Sequence, residues 1–234
     1  MPALPTALGL LTRGEVTVKG RLPWSSNATF LVDLSLDSVT TLAVYKPQRG
    51  ERPLWDFPLG LFKREIAAYH LSEALGWGLV PPTVRRDGPL GDGSFQLFVP
   101  ADFEQHYFTL REDPAHHPAL KRICVFDLLA NNADRKGGHC LLGPDGRIHA
   151  IDNGLTFHTE PKLRTVIWDF GGEPIPEEAL GDVRRLVGAG LPAALAGLLD
   201  AAERDALLAR VRALLADGRF PVDPGGGRYP WPLV

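Results

Sequence analysis

The sequence predicts an α+β fold in two lobes: a β-rich N-terminal lobe of antiparallel strands with one helix, then a mainly helical C-terminal lobe. Three observations carry this. Through most of the first hundred residues, apolar and β-branched side chains alternate with polar ones. Beyond that point apolar residues recur at helical spacing. Between the two regimes stands Val99-Pro100-Ala101, a stiff junction suited to a hinge. The expected division is residues 1–99, 100–220 and an irregular tail, 221–234, which carries three consecutive glycines and four prolines.

Each element follows from local pattern. Residues 8–11 suit a strand or the start of a short helix. Residues 15–19, 29–34 and 40–45 read as strands of a meander. After a loop, residues 61–75 read as a helix, ended by Gly76 and Gly78 with Pro81-Pro82 beyond. Residues 83–86 and 94–99 read as two further strands across a glycine-rich turn. Residues 101–117 look irregular. A helix is expected over 119–131, with Ile123, Phe126 and Ala130 on one face. A short hairpin of 140–142 and 147–151 turns around Gly143-Pro144-Asp145-Gly146. Residues 177–187 and 193–216 are helical by composition and period.

Composition sets limits. The chain has 234 residues, 44% hydrophobic and 23% charged, enough to build a core without staples. A formal net charge of −3 argues against a dedicated nucleic-acid surface. The two cysteines, Cys124 and Cys140, stand in neither a CxxC nor a zinc spacing. They read as free buried thiols of a cytoplasmic protein. No apolar run approaches the ~18 residues of a membrane helix, so no transmembrane segment is expected. Residues 1–11 lack the basic flank and cleavage site of a signal peptide.

The chemistry concentrates at a few places. Lys46 ends an apolar strand, where a compact positive charge suits a nucleotide phosphate; taken alone it also fits a solvated strand end. Glu65 falls inside the apolar arc of the helix over 61–75. A carboxylate facing a core needs a partner. Lys46 is one choice and the neighbouring Lys63 or Arg64 another. Protein kinases hold ATP phosphates with such a strand-lysine to helix-glutamate pair. The segment Gly20-Arg21-Leu22-Pro23-Trp24-Ser25-Ser26-Asn27 lies between the first two strands. There Ser25, Ser26 and backbone N–H groups would cradle phosphate, unless it is an ordinary hairpin loop.

The densest polar cluster is residues 131–139, Asn-Asn-Ala-Asp-Arg-Lys-Gly-Gly-His. The hairpin after it should fold Asp134, His139 and Asp152 together. Two neighbouring carboxylates fit Mg²⁺ shared with substrate phosphates, with one orienting an attacking hydroxyl. Asp169 in Trp168-Asp169-Phe170-Gly171 resembles a kinase motif, but no hairpin strand precedes it. His106, His116, His117, His149 and His158 show no metal-binding spacing. Residues 55–62, rich in aromatic and apolar side chains, are expected to pack under the helix, the alternative being contact with a membrane or partner.

Lys46, Glu65, Asn132-Ala133-Asp134-Arg135 and Ala150-Ile151-Asp152-Asn153-Gly154-Leu155-Thr156-Phe157 stand in an order that resembles the type II phosphatidylinositol 4-kinases and the related HipA-like kinases. More closely still, the chain resembles an uncharacterised actinobacterial-type group described only as similar to phosphatidylinositol 3-/4-kinases. The resemblance covers residues 14–170 and implies a protein-kinase-like fold using ATP and Mg²⁺. It implies that Lys46 contacts the α- and β-phosphates and Glu65 braces it. It makes Asp134 the catalytic carboxylate and Asp152 the main metal ligand. Gln96, Phe98 and Val99 would lie in the hinge that meets adenine. One departure stands out: His139 occupies the place of an asparagine metal ligand, which suggests Mn²⁺, a single metal or weakened catalysis. The expected activity is transfer of the γ-phosphoryl of ATP to a hydroxyl of a lipid, protein or small molecule. The alternatives are a nucleotide-binding pseudokinase acting as a regulatory module, AMP transfer, and a metal hydrolase built on Asp134, His139 and Asp152.

Overall fold

The computed structural model describes residues 2–23, 25 and 27–234. The chain opens with helix α1 (Leu4–Arg13), followed by strands β1 (Glu15–Arg21), β2 (Phe30–Leu36) and β3 (Val39–Pro47). Helix α2 (Leu61–Ala74) precedes strands β4 (Thr83–Gly88) and β5 (Gly91–Leu97). The five strands form one antiparallel sheet in the order β1-β2-β3-β5-β4. Next come α3 (Tyr107–Leu110), α4 (His117–Ala130) and a two-stranded hairpin, β6 (Cys140–Leu142) with β7 (Ile148–Ala150). Helices α5 (Glu177–Ala189), α6 (Ala193–Ala196) and α7 (Ala201–Asp217) complete the elements.

Three stretches depart from the sequence expectation. The opening segment is a full helix, with Pro5 in its first turn and Ala7, Leu10 and Leu11 buried on one side. It covers the outer face of the sheet, where Val32, Leu34, Ala43, Tyr45, Phe95 and Leu97 meet it. The N-terminal region therefore has two helices, not one. The helix expected over 193–216 is broken: α6 ends at Gly197, and Asp200 restarts the chain as α7. Asp200 and Glu203 form a reciprocal capping box there. The stretch 101–117 also holds the short helix α3 and a 3-10 turn at Pro114–His116.

The main core does not divide at the sheet. Ala67, Ala68 and Leu71 of α2, with Leu75 just after it, belong to the same buried cluster as Phe126 and Leu129 of α4, Val183 of α5 and Leu207 and Val211 of α7. Helix α2 thus lies between the two regions: it rests on β4, β5 and α6, and its buried face joins the helical cluster. Its first turn is capped from outside: Glu51 accepts hydrogen bonds from Gly60 N (2.7 Å) and Phe62 N (2.8 Å). A small cluster of Phe57, Leu61 and Ala133 joins the start of α2 to the loop after α4. Of residues 55–62, Phe57, Leu61 and Phe62 pack inward, whereas Trp55 and Leu59 face solvent.

Local features aim the site. Pairing of β1 with β2 slips between Val18 and Gly20, a bulge that bends the strand just before the loop over the cleft. Gly93 pairs with Pro47; a side chain at Gly93 would strike the Lys46 carbonyl and stand 2.8 Å from Pro47 Cα. Only glycine lets β5 approach the end of β3 that carries Lys46.

Candidate active site

Lys46 lies on the cleft face of β3, since its neighbours Ala43 and Tyr45 point into the α1 side. Its ammonium is bonded to Glu65 of α2 and, at 2.7 Å, to Asp152 Oδ1. Of the partners open to Glu65 in sequence, Lys46 is the one it takes; Arg64 turns away to Glu203. The second Glu65 oxygen accepts from Asn153 N at 2.9 Å, so Glu65 ties strand, helix and the loop after β7 together.

Asp152 follows the hairpin with φ 55°, a left-handed conformation that aspartate tolerates better than most residues. That turn leaves its side chain 52% exposed toward the cleft. Lys46 holds its carboxyl well below the usual carboxylate range. Burial alone would lower Lys46, but Asp152 and Glu65 more than reverse this and keep it charged. Burial pushes Glu65 up, with Lys46 opposing.

The loop after α4 is built around buried charge. Arg135 is fully buried and donates to Asp127 through Nε and Nη2, each at 2.9 Å. It also donates to Ile151 O and Asn153 Oδ1, each at 2.7 Å. Asn132 donates to Asp127 (3.0 Å) and accepts from Asp134 N (2.9 Å). That is the physical sense of the Asn-x-Asp-Arg spacing: Asn132 turns the backbone so that Asp134 faces the cleft, and Arg135 anchors the loop beneath it. Burial pushes Asp134 up, with Lys136, 3.3 Å away, pulling the other way. A carboxylate raised in this way is a better proton acceptor.

His139 is held between the loop and Asp152. Its Nδ1 lies 2.9 Å from the Asp134 carbonyl oxygen and 3.4 Å from Lys136 N. Its Nε2 faces Asp152 Oδ2 at 3.5 Å. Burial pushes the imidazole down to about 4, so it is neutral at physiological pH. A neutral imidazole beside an ionised carboxylate fits a divalent cation. Among the described residues no group of three His, Cys, Asp or Glu side chains gathers at one point. A cation here would take its other ligands from phosphate and water.

Lys46, Glu65, Asp134, Lys136, His139 and Asp152 line one cleft of about 1090 Å³. Ser25, Asn27 and Thr29 of the β1–β2 loop border it; Ser26 lies outside the described residues. Gln96, Phe98 and Val99 are not among its lining. Gln96 is buried and donates to Thr83 Oγ1 (2.9 Å), and Phe98 N donates to Leu42 O (3.1 Å). Asp169 is likewise outside the cleft, bound by the Tyr107 hydroxyl and by Arg111 at 2.8 Å.

Sequence reasoning missed three groups. Lys136 carried a signal, two residues after Asp134. Asp127 carried one too, an acid inside an apolar helix. Trp231, Pro232 and Val234 carried none. The segment after α7 returns to the cleft: Gly137 N, in the loop after α4, donates to Leu233 O (2.7 Å), and Thr165 N donates to Arg228 O (3.0 Å). No period marks such a return.

An antiparallel five-stranded sheet above a helical region, with a strand lysine paired to a helix glutamate, is a protein-kinase-like fold. Solved structures agree. One is the hydra Fam20 structure with sugar, at TM-score 0.59 and 15% identity, covering 92% of this chain and 87% of that one. Another is the Helicobacter pylori proinflammatory kinase CtkA, at TM-score 0.52 and 12% identity, covering 90% and 94%. The chain is also 43% identical over 260 residues to Protein Rv2133c of Mycobacterium tuberculosis, covering 95% of this chain and 94% of that protein. It belongs to the same family. No family model matches the sequence.

Proposed function

We propose that this protein binds ATP with a divalent cation in the cleft and transfers the γ-phosphoryl to an acceptor hydroxyl. The observation that carries the reading is the convergence of Lys46 on both Glu65 and Asp152, from three separate elements, with Asp134 on the same cleft. In this reading Lys46 binds phosphate oxygens while Glu65 keeps its ammonium in place. Ser25 of the β1–β2 loop, which borders the cleft, binds phosphate, and Ser26 is assigned the same role on sequence alone. Asp152 and His139 hold the cation, which supplies neutralisation of the phosphate charge. Asp134 orients the acceptor hydroxyl and takes its proton, and Lys136 faces the transferred group. The imidazole of His139 favours Mn²⁺ over Mg²⁺. Gln96, Phe98 and Val99 form the hinge side, with residues 1–99 and 100–220 as the two lobes. The Ala-Ile-Asp-Asn-Gly segment at 150–154 supports placement in the phosphatidylinositol 3-/4-kinase-like branch. Two buried, unpaired thiols at Cys124 and Cys140 accord with a cytoplasmic location.

His139 favours a second reading, a nucleotide-binding module that signals by lobe closure without turnover. Single-turnover assays with labelled ATP across a metal panel separate the two. Product formation that disappears in Asp134→Asn, while nucleotide binding persists, supports the enzyme. Binding without transfer under every metal supports the module, and no binding at all removes both.

A further inference from the structure

Helix α2 delivers Glu65 to Lys46, yet something must hold α2 against the cleft. The residue beside Glu65 does this. Arg64 is 5% exposed. Its Nη1 donates to the Thr156 carbonyl and its Nη2 is paired with Glu203 Oε1. Its guanidinium also lies 5.5 Å from the centroid of the Phe57 ring. Glu203 divides its two oxygens. Oε1 takes Arg64, and Oε2 accepts from Asp200 N at 3.0 Å in the capping box of α7.

The two neighbours on α2 therefore grip one loop at two points: Glu65 at the Asn153 amide, Arg64 at the Thr156 carbonyl. Thr156 Oγ1 closes that loop by donating to Asn153 O at 2.8 Å. Asp152, the proposed cation ligand, is the residue just before it. Neither Arg64 nor Glu203 lines the cleft, so neither meets the nucleotide.

We infer that Arg64 and Glu203 are positioning residues: the buried ion pair between α2 and the first turn of α7 sets Glu65 against Lys46 and fixes the loop that carries Asp152. Helix α7, which holds no motif, thereby becomes part of the phosphate grip. Its own charges are deep enough that a lost partner leaves the other unpaired in the interior. The inference rests on the nucleotide reading above, but it makes a claim about the empty protein too.

The test compares Glu203→Ala with Glu203→Gln and with Asp200→Ala. Asp200→Ala removes the cap to Glu203 N (2.8 Å) and leaves Arg64 its partner. Two quantities are read, alongside melting temperature. One is hydrogen exchange at the Asn153 amide in nucleotide-free protein; the other is the Kd for ATP with Mn²⁺. Glu203→Ala should raise Asn153 exchange at least tenfold and weaken ATP at least fivefold. Glu203→Gln, which keeps an oxygen for Arg64, should recover most of both. Asp200→Ala should lower the melting temperature with both values within twofold of wild type. Equal effects of Glu203→Ala and Asp200→Ala at matched stability would overturn the inference, as would unchanged Asn153 exchange in Glu203→Ala. Should Glu203→Ala fail to fold, Arg64→Lys serves: it keeps the charge but loses the two-pronged geometry, so Asn153 exchange must still rise. Failure of wild-type protein to bind ATP would count against the nucleotide reading alone, since the exchange result stands without it.

Discussion

Lys46 meets two carboxylates of different character, and its loss should separate them. Asp152 is half exposed and can be solvated, but Glu65 is buried. Burial already raises Glu65 above its ordinary value. Without the ammonium that rise grows. A carboxylate titrating higher folded than unfolded favours the folded state below about pH 4.3 and forfeits that advantage as pH climbs through its folded value. Lys46→Met should therefore lose more stability, relative to wild type, at pH 8 than at pH 5; thermal melts at the two values check the sign. His139 gives a second prediction at this scale. Asn in its place supplies an amide oxygen, so His139→Asn should raise Mg²⁺-supported transfer relative to Mn²⁺, read as the ratio of the two single-turnover rates. Both residues were legible in sequence because each broke its surroundings: Glu65 as a charge within an apolar arc, His139 as a departure from a recognisable spacing. Arg64 was not. Its charge sat among ordinary helix residues, and its partner stands 139 residues further on.

At the level of elements, the site depends on how closely its parts approach. The β3–β5 contact admits no side chain at Gly93, so Gly93→Ala must push the end of β3 away. Overpacking of this kind destabilises by about 1–3 kcal/mol, and ATP binding should weaken along with it as Lys46 shifts; calorimetry and a binding isotherm on one preparation measure both. Beneath the loop after α4, Asp127→Ala leaves Arg135 charged and without its carboxylate in the interior. Breaking such a pair costs about 3–5 kcal/mol, visible as a lower denaturation midpoint at unchanged slope. Strands β1 to β5 were readable because alternation survives in short, half-buried strands. The extent of α1 was not, because its apolar residues carry meaning only once the sheet's outer face lies beneath them. The break before α7 was hidden for a similar reason. Alanine and leucine run through it, and only the spacing of Asp200 to Glu203 betrays a new start.

For the whole molecule, the structure brings Lys46, Glu65, Asp134 and Asp152 to one cleft where the sheet meets the helical region, with α2 packed between β4, β5 and α6. The order Lys46, Glu65, Asp134, Asp152 along the chain was enough to anticipate that convergence. The return of residues 228–234 to the cleft was not, because a chain held by a few backbone hydrogen bonds leaves no trace in composition. The most direct measurement is a structure of the protein with a non-hydrolysable ATP analogue and Mn²⁺. The expected result is a triphosphate lying between the ammonium of Lys46 and the carboxylate of Asp152, with the terminal phosphate toward Asp134. A nucleotide bound elsewhere, or an unbroken Lys46–Asp152 pair with no analogue beside it at saturating concentration, would contradict the account.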